Sequence, residues 1–343
     1  MSSFPRISLL TSPAWKDYEL LDSGDGQKLE RFGKYLFIRP EVQALWSKSL
    51  SAARWEAAHA IFQPSGEESG GHWVFRERVA EKWEMEYALT SGSSPRRGER
   101  GGDEGRSLRF YVMTTPGRHL GLFPEGAAHW DWVNALIHHR ACAELDRSEH
   151  GEKPDDFSVD SVHSAVNVLN LFGYTGLATL ACAGAGARVT HVDASKKAVT
   201  WARENAALSG LQDKPIRWLI DDALKFVQRE ARRGVKYDGI LLDPPKFGRG
   251  PKGEVWEVYK SLPLLLQACR AVLSDRPLFV AVTVYAVKAS AVHLYYALEE
   301  MMQGFGGKLE CGELVTQEKG GGRLLSQAVY ARWEATADEH GKR

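Results

Sequence analysis

Four short segments in the second half of the chain combine glycine, carboxylate and aromatic residues: Asn170-Leu171-Phe172-Gly173-Tyr174-Thr175-Gly176, Val192-Asp193-Ala194-Ser195, Asp221-Asp222 and Asp243-Pro244-Pro245-Lys246-Phe247. Together they suit a purine nucleoside. Gly173 and Gly176 allow the backbone to approach a ligand closely and turn into a helix. Asp193, seventeen residues past Gly176, is spaced to accept both hydroxyls of a ribose, and Asp222 can accept a hydrogen bond from an adenine amino group. The glycines do not spell G-x-G-x-x-G, the spacing of a pyrophosphate cradle. A nucleoside without phosphate fits better, and S-adenosylmethionine (SAM) is such a molecule.

The fourth segment suits the other reactant. Two prolines after a strand hold the backbone extended and prevent a helix. The Asp243 carboxylate and the Pro244 carbonyl then serve as acceptors for a flat, amine-bearing base. Pro245 fixes the turn, Lys246 lies beside it, and Phe247 offers a ring for stacking worth roughly 1–3 kcal/mol per base. Lys246, Arg249 and Lys252 fit a substrate phosphate and plain solvation equally well. Asp243 to Phe247 are the candidate catalytic residues. Asn170, Phe172, Tyr174, Thr175, Gly176, Asp193, Ala194 and Asp222 are the candidate cofactor residues.

These segments need a scaffold that brings them to one rim. From Val166 onward, apolar runs alternate with helical stretches: strands at 166–169, 188–192, 216–220, 239–242 and 278–284, helices at 177–185, 196–208, 223–233, 262–273 and 290–302. Ser195 caps the second helix and Gly210 follows its end. Strands 309–315 and 325–333 close the domain as an antiparallel hairpin on its edge. Such alternation predicts a doubly wound, mostly parallel, seven-stranded Rossmann-like α/β sheet over residues 156–335, with ligands at the carboxyl ends of its strands. Residues 1–150 read as a β-rich accessory domain with a helix at 129–140, a solvated loop at 90–107 and a polar linker from Arg147 to Asp156. His129-Trp130-Asp131-Trp132 could line a substrate cleft but reads better as buried in the domain interface, and the arginines near 229–233 read as complements to a helix dipole.

Composition narrows the class. With 343 residues, 43% hydrophobic and 26% charged, the chain is predicted to be globular. Its 44 basic and 44 acidic residues cancel, unlike a nucleic-acid coat protein. No run is long and apolar enough for a membrane helix, and residues 1–16 do not resemble a secretory signal. Cys142, Cys182, Cys269 and Cys311 form no C-x-x-C pair, and the histidines no H-E-x-x-H, so neither a metal site nor a disulfide framework is expected and a reducing cytoplasm fits. There is no nucleophile elbow and no P-loop.

The first, second and fourth segments resemble the ribosomal large-subunit RNA methyltransferases, a family that includes cytosine-C5 and guanine-N7 enzymes. The resemblance runs from about Leu108 to Trp333. It includes Arg118-His119-Leu120-Gly121-Leu122-Phe123-Pro124-Glu125, which matches a strand and loop that cover the cofactor in the family and adds Phe123 to the cofactor residues. It implies a class I methyltransferase domain, SAM as cofactor and structured, ribosomal RNA as substrate. Two features depart from it. The C5 enzymes carry a cysteine just after the fifth strand, where this chain reads Thr283-Val284-Tyr285; C5 methylation needs a thiolate, so nitrogen methylation is favoured. Residues 1–105 do not clearly match the compact RNA-binding module of several relatives. A nicotinamide-dependent oxidoreductase and a non-catalytic RNA-binding protein of the same fold remain as alternatives.

Overall fold

The structure, a computed structural model, describes residues 4–12, 14–65, 70–90, 107–149, 165–285 and 289–336. Residues 91–106 of the expected loop and 150–156 of the expected linker lie outside this set. Strand β1 (Ile7–Leu10) comes first. A five-stranded sheet follows, in the order β2 (Tyr18–Gly24), β3 (Gln27–Phe32), β4 (Tyr35–Pro40), β5 (Ala60–Pro64), β6 (Gly71–Phe75), with the short helix α1 (Ala52–Glu56) before β5. Asp25 and Gly26, with φ of 52° and 74°, make the left-handed turn that a two-residue hairpin between β2 and β3 requires. Strands β7 (Trp83–Ala88) and β8 (Ser107–Val112) pair separately, and helix α2 (Ala127–Glu149) leads out of this half. The helix expected at 129–140 is thus longer at both ends and runs through the start of the expected linker.

The second half alternates as its apolar periods demand: β9 (Asn167–Leu171), α3 (Leu177–Gly184), β10 (Arg188–Asp193), α4 (Lys196–Leu208), β11 (Ile216–Ile220), α5 (Ala223–Arg232), β12 (Gly239–Leu242), a small hairpin β13 (Phe247–Arg249) and β14 (Val255–Glu257), α6 (Val258–Val272), β15 (Phe279–Tyr285), α7 (Ala291–Met301), β16 (Lys308–Gln317) and β17 (Leu324–Glu334). The Ser195 hydroxyl accepts a bond from the Ala198 N–H at 3.2 Å and starts α4. Both faces of the large sheet are buried. Val168 and Leu241 enter a core shared with α2, α3 and aromatic residues of the N-terminal half, while Leu169, Leu171, Ile240 and Leu242 enter a second core with α5, α6 and α7.

The large sheet has eight strands, ordered β1-β16-β17-β15-β12-β9-β10-β11, where seven were expected. The additional strand is β1, which pairs parallel to β16 from Ile7–Cys311 to Leu10–Leu314 and leaves β16 no free edge. The expected terminal hairpin is present, with β17 against β15 and β16 outside it.

The β1–β16 contact is close. A Cβ on Gly312 would lie 1.7 Å from the Ser8 carbonyl oxygen. Gly312→Ala is therefore expected to push β1 off the sheet and lower unfolding stability by about 1–3 kcal/mol, the usual cost of overpacking. Ser195→Ala is expected to cost about 1 kcal/mol through a lost helix cap. Urea unfolding of the two variants checks both values.

Candidate active site

The strands β9, β10, β11 and β12 end on one side of a cavity of about 650 Å³, within the size range of small-molecule sites. Its floor is the loop after β9. Phe172 and Tyr174 have φ of 58° and 47°, and Gly176 has φ of 89°. Left-handed backbone at two bulky residues is strained and is found mainly at functional sites. The surroundings hold it there. The Tyr174 N–H donates to Asp193 Oδ2 at 2.9 Å, and the Asn205 side chain donates to the Thr175 carbonyl at 2.9 Å. The Thr175 hydroxyl donates to the Gly121 carbonyl at 2.8 Å, which ties the loop to the N-terminal half.

The glycines of this loop have a different primary reason from the one expected. A Cβ on Gly173 would meet the His191 ring at 2.4 Å, and one on Gly176 would meet Ala202 Cβ at 2.8 Å. Close packing of strand, loop and helix requires them, before any ligand is considered. Asn170, 2% exposed, donates to Thr179 Oγ1 at 2.9 Å, so its amide braces α3.

The two acids expected to face the nucleoside also have structural work. Asp193 accepts from Tyr174 through Oδ2 and from the Ser195 N–H through Oδ1 at 2.8 Å. Burial raises its pKa, against those two bonds. Each carboxylate oxygen accepts more than one hydrogen bond, so capacity toward the cavity remains. Asp222 caps α5, accepting from the Lys225 N–H at 2.9 Å through Oδ1. Its neighbour Asp221 pairs with Arg229, whose expected role was to complement the helix dipole.

Phe123 roofs the cavity. Its ring lies 5.8 Å from that of Tyr174, 4.9 Å from Tyr285 and 4.7 Å from His119. Burial and the nearby Arg39 and Arg118 push His119 down to about 3, so it is neutral at working pH.

At the β12 end, Asp243, Pro245 and Lys246 line the cavity. Pro244 and Phe247 do not. Pro244 is buried behind the wall, and Phe247 is 57% exposed. Side chains alternate across β13 and β14, and it is Trp256 that turns inward. Its indole donates to the Pro245 carbonyl at 2.7 Å and packs 4.8 Å from the Phe172 ring, coupling the two loops. The Phe247 ring, expected to stack on the base, thus lies on the exposed face of the hairpin, outside the cavity lining. Asp243 is half-buried, its Oδ1 is sealed from solvent without a hydrogen-bond partner, and burial and the nearby Glu125 push its pKa up to about 8.

Other lining residues lie outside the four segments, although Glu125 and His129 belong to stretches that the sequence singled out. Lys28 and Arg39 come from the five-stranded sheet, Glu125 from a 3-10 turn (Pro124–Gly126) ahead of α2, His129 from α2 and Gln327 from β17. None of the four cysteines lines the cavity. No helix among the described residues is long and apolar enough to cross a membrane, and those residues hold no metal-binding cluster.

The chain resembles known proteins over its full length and in its core. A crystal structure of a SAM-dependent methyltransferase from Agrobacterium tumefaciens is 39% identical, with a TM-score of 0.79, and the alignment covers 98% of this chain and 97% of that one. The chain belongs to the SAM-dependent methyltransferase family. Residues 158–258 of this methyltransferase, from before β9 to the start of α6, also match a family model described as conserved hypothetical protein 95. Ribosomal RNA large subunit methyltransferase K/L of Shewanella frigidimarina is 38% identical over 96 residues, and ribosomal RNA large subunit methyltransferase I of Aeromonas salmonicida 37% identical over 114. Those matches cover 27% and 33% of the methyltransferase but only 13% and 26% of the relatives' own length. A SAM-dependent methyltransferase structure from Streptococcus mutans, 14% identical with a TM-score of 0.62 over 94% of this chain and 76% of its own, shares the fold.

The Asp243 environment has a measurable consequence. Its proton is held up to about pH 8 in the folded protein, against about 4 for an unfolded aspartate. The stability contributed by this proton is full below pH 4 and is lost as pH rises to 8. Asp243→Asn escapes that loss. Its stability relative to wild type is expected to rise between pH 4 and pH 8 and level off above. Urea unfolding at pH 5 and pH 8 checks this; an equal difference at both would contradict it.

Proposed function

We propose that the protein transfers a methyl group from SAM to a nitrogen of a base in RNA, with ribosomal RNA as the substrate. The observation that carries this reading is the shared cavity: the strained nucleoside-type loop after β9 and the half-buried Asp243 carboxyl open into the same space. The residues fit the cofactor. Asp193 has acceptor capacity left for the ribose, the Asp222 oxygen not used in capping suits the adenine amino group, and Phe123 and Tyr174 supply aromatic surface. Ala194 lines the same wall. SAM supplies a methyl group already activated by its sulfonium. What the protein adds is alignment and exclusion of water, and the base faces Asp243, whose carboxylate form accepts a hydrogen bond from its amine or takes the departing proton.

Nitrogen is favoured over C5 because C5 methylation requires a thiolate against the ring, and no cysteine borders the cavity. Cys182 and Cys269 are fully buried elsewhere, and burial alone raises their thiols well above the usual range. Residues 1–150 serve as the substrate-recognition domain in this reading, supported by Lys28 and Arg39 on the cavity wall. The Shewanella and Aeromonas relatives, ribosomal RNA large subunit methyltransferases, support ribosomal RNA.

Two measurements test the proposal. Calorimetry is expected to show binding of SAM and none of NAD. Radiolabelled methyl is expected to enter undermodified ribosomal RNA, with Asp243→Ala lowering the rate by about 10²–10⁴, the usual worth of a positioned acid or base. Digestion to nucleosides should yield an N-methylated base. Unchanged incorporation in Asp243→Ala would refute the role of Asp243, and 5-methylcytidine would refute the nitrogen assignment. SAM binding without incorporation would leave a binding protein.

A further inference from the structure

We propose that Thr179 and His191 are positioning residues for the cofactor: one chain of hydrogen bonds turns the Asn170 carboxamide so that its oxygen faces the ammonium group of SAM. The inference rests on the placing of ribose at Asp193 and adenine at Asp222 above. All three side chains are almost fully buried, Asn170 at 2% exposure and Thr179 and His191 at 0%. Asn170 Nδ2 donates to Thr179 Oγ1 at 2.9 Å, and Thr179 Oγ1 lies 2.9 Å from His191 Nδ1. A hydroxyl has one proton. No other described residue accepts from this one, so Thr179 donates to His191 Nδ1. The ring is thereby the tautomer with its hydrogen on Nε2, a nitrogen that is sealed and has no partner. Burial keeps the ring neutral, its pKa pushed down to about 3. An unpartnered buried polar group costs stability, which points to a function for the one bond that His191 makes.

That bond decides which end of the Asn170 amide faces the cavity. With Nδ2 committed to Thr179, the oxygen is left over. It accepts nothing from the described residues, it is not sealed, and Asn170 lines the cavity. A hydrogen on His191 Nδ1 would reverse the chain: the ring would donate to Thr179, the hydroxyl to Asn170, and the amide would present its NH2. Gly173 makes room for the arrangement, since a Cβ there would lie 2.4 Å from the His191 ring and 3.2 Å from Asn170 Nδ2. The strand order says what meets the amide. Strands β11, β10, β9 and β12 are neighbours in that order, about 4.8 Å apart. They carry Asp222, Asp193, Asn170 and Asp243 at or just beyond their ends. A nucleoside with adenine at Asp222 and ribose at Asp193 therefore directs its 5′ substituent toward β9, one strand short of Asp243. In SAM that substituent bears the sulfonium and the amino-acid ammonium. An amide oxygen attracts these cations and accepts from the ammonium, whereas an NH2 group repels them.

Two measurements test this. The first is nitrogen-15 NMR of the full chain labelled at histidine rings, with the His191 signals assigned by their loss in His191→Asn. A neutral ring with its hydrogen on Nε2 is expected; hydrogen on Nδ1 overturns the proposal. The second is titration calorimetry with S-adenosylhomocysteine, which keeps the amino-acid end, and 5′-methylthioadenosine, which lacks it. Thr179→Val is expected to weaken S-adenosylhomocysteine about tenfold or more, the worth of a hydrogen bond to a charged group, and to leave 5′-methylthioadenosine nearly unchanged. Thr179→Ser, which keeps the hydroxyl, is expected to bind both like wild type. Equal weakening of the two ligands in Thr179→Val reduces the chain to a brace of the loop and overturns the assignment, as does undiminished binding of S-adenosylhomocysteine. If Thr179→Val does not fold, His191→Leu, which removes the acceptor of the same chain, takes its place in the comparison. Wild type that binds neither ligand removes the nucleoside reading itself. Wild type that binds both, with no discrimination in the variant, removes this proposal alone.

Discussion

The site depends on a backbone that would not adopt its shape alone. Phe172 and Tyr174 are held in left-handed conformation on either side of Gly173, each at a cost of order 1–3 kcal/mol. Asp193 offsets part of that by accepting the Tyr174 N–H. Asn205 secures the next carbonyl, and Thr175 fastens the loop to Gly121. Because β9 and β10 are adjacent and parallel, an acid at the end of one reaches the loop at the end of the other. The sheet order therefore builds the floor of the cavity, and the strain persists because three elements oppose its release.

From that floor the remaining architecture follows. Helix α4 carries Trp201 and Asn205 against β8: the Asn205 amide bridges Tyr111 and Thr175, and the Trp201 indole donates to the Tyr111 carbonyl. A Cβ on Gly121, at φ 83°, would overlap the Trp201 ring at 2.1 Å. The N-terminal half is thus locked to the sheet at the point where Phe123 and Glu125 enter the cavity. A shared aromatic core continues the contact. The wall after β12 is braced separately, by Trp256 against Pro245 and Phe172. Asp243 on that wall, with its Oδ1 sealed from solvent and without a hydrogen-bond partner, gives the site its chemical character.

Much of this was legible in the sequence, where information is local. The apolar periods located β10, α4, β11 and β12 within a residue, because buried parallel strands and capped helices write their own signals. Asp193, Asp222 and Asp243 stood out because each follows such a strand. The rest depends on contacts that no local pattern encodes. Ile7–Leu10 is a four-residue segment whose partner, Cys311–Leu314, lies some three hundred residues away. Lys28 and Arg39 carried no local signal, and the five-stranded sheet brings them to the cavity. Phe247 carried a plausible stacking ring, but the hairpin β13–β14 turns it outward and brings Trp256 in. The glycines at 173 and 176 suggested ligand approach, and packing against His191 and Ala202 explains them first.

The central claim is that Asp193 both holds the loop after β9 and receives the nucleoside. Titration calorimetry of SAM with wild type and Asp193→Ala tests it most directly. At least a tenfold loss of affinity is expected in the variant, about 1.4 kcal/mol, as the loop relaxes and the ribose loses its acceptor. Equal affinity in the two proteins would contradict it.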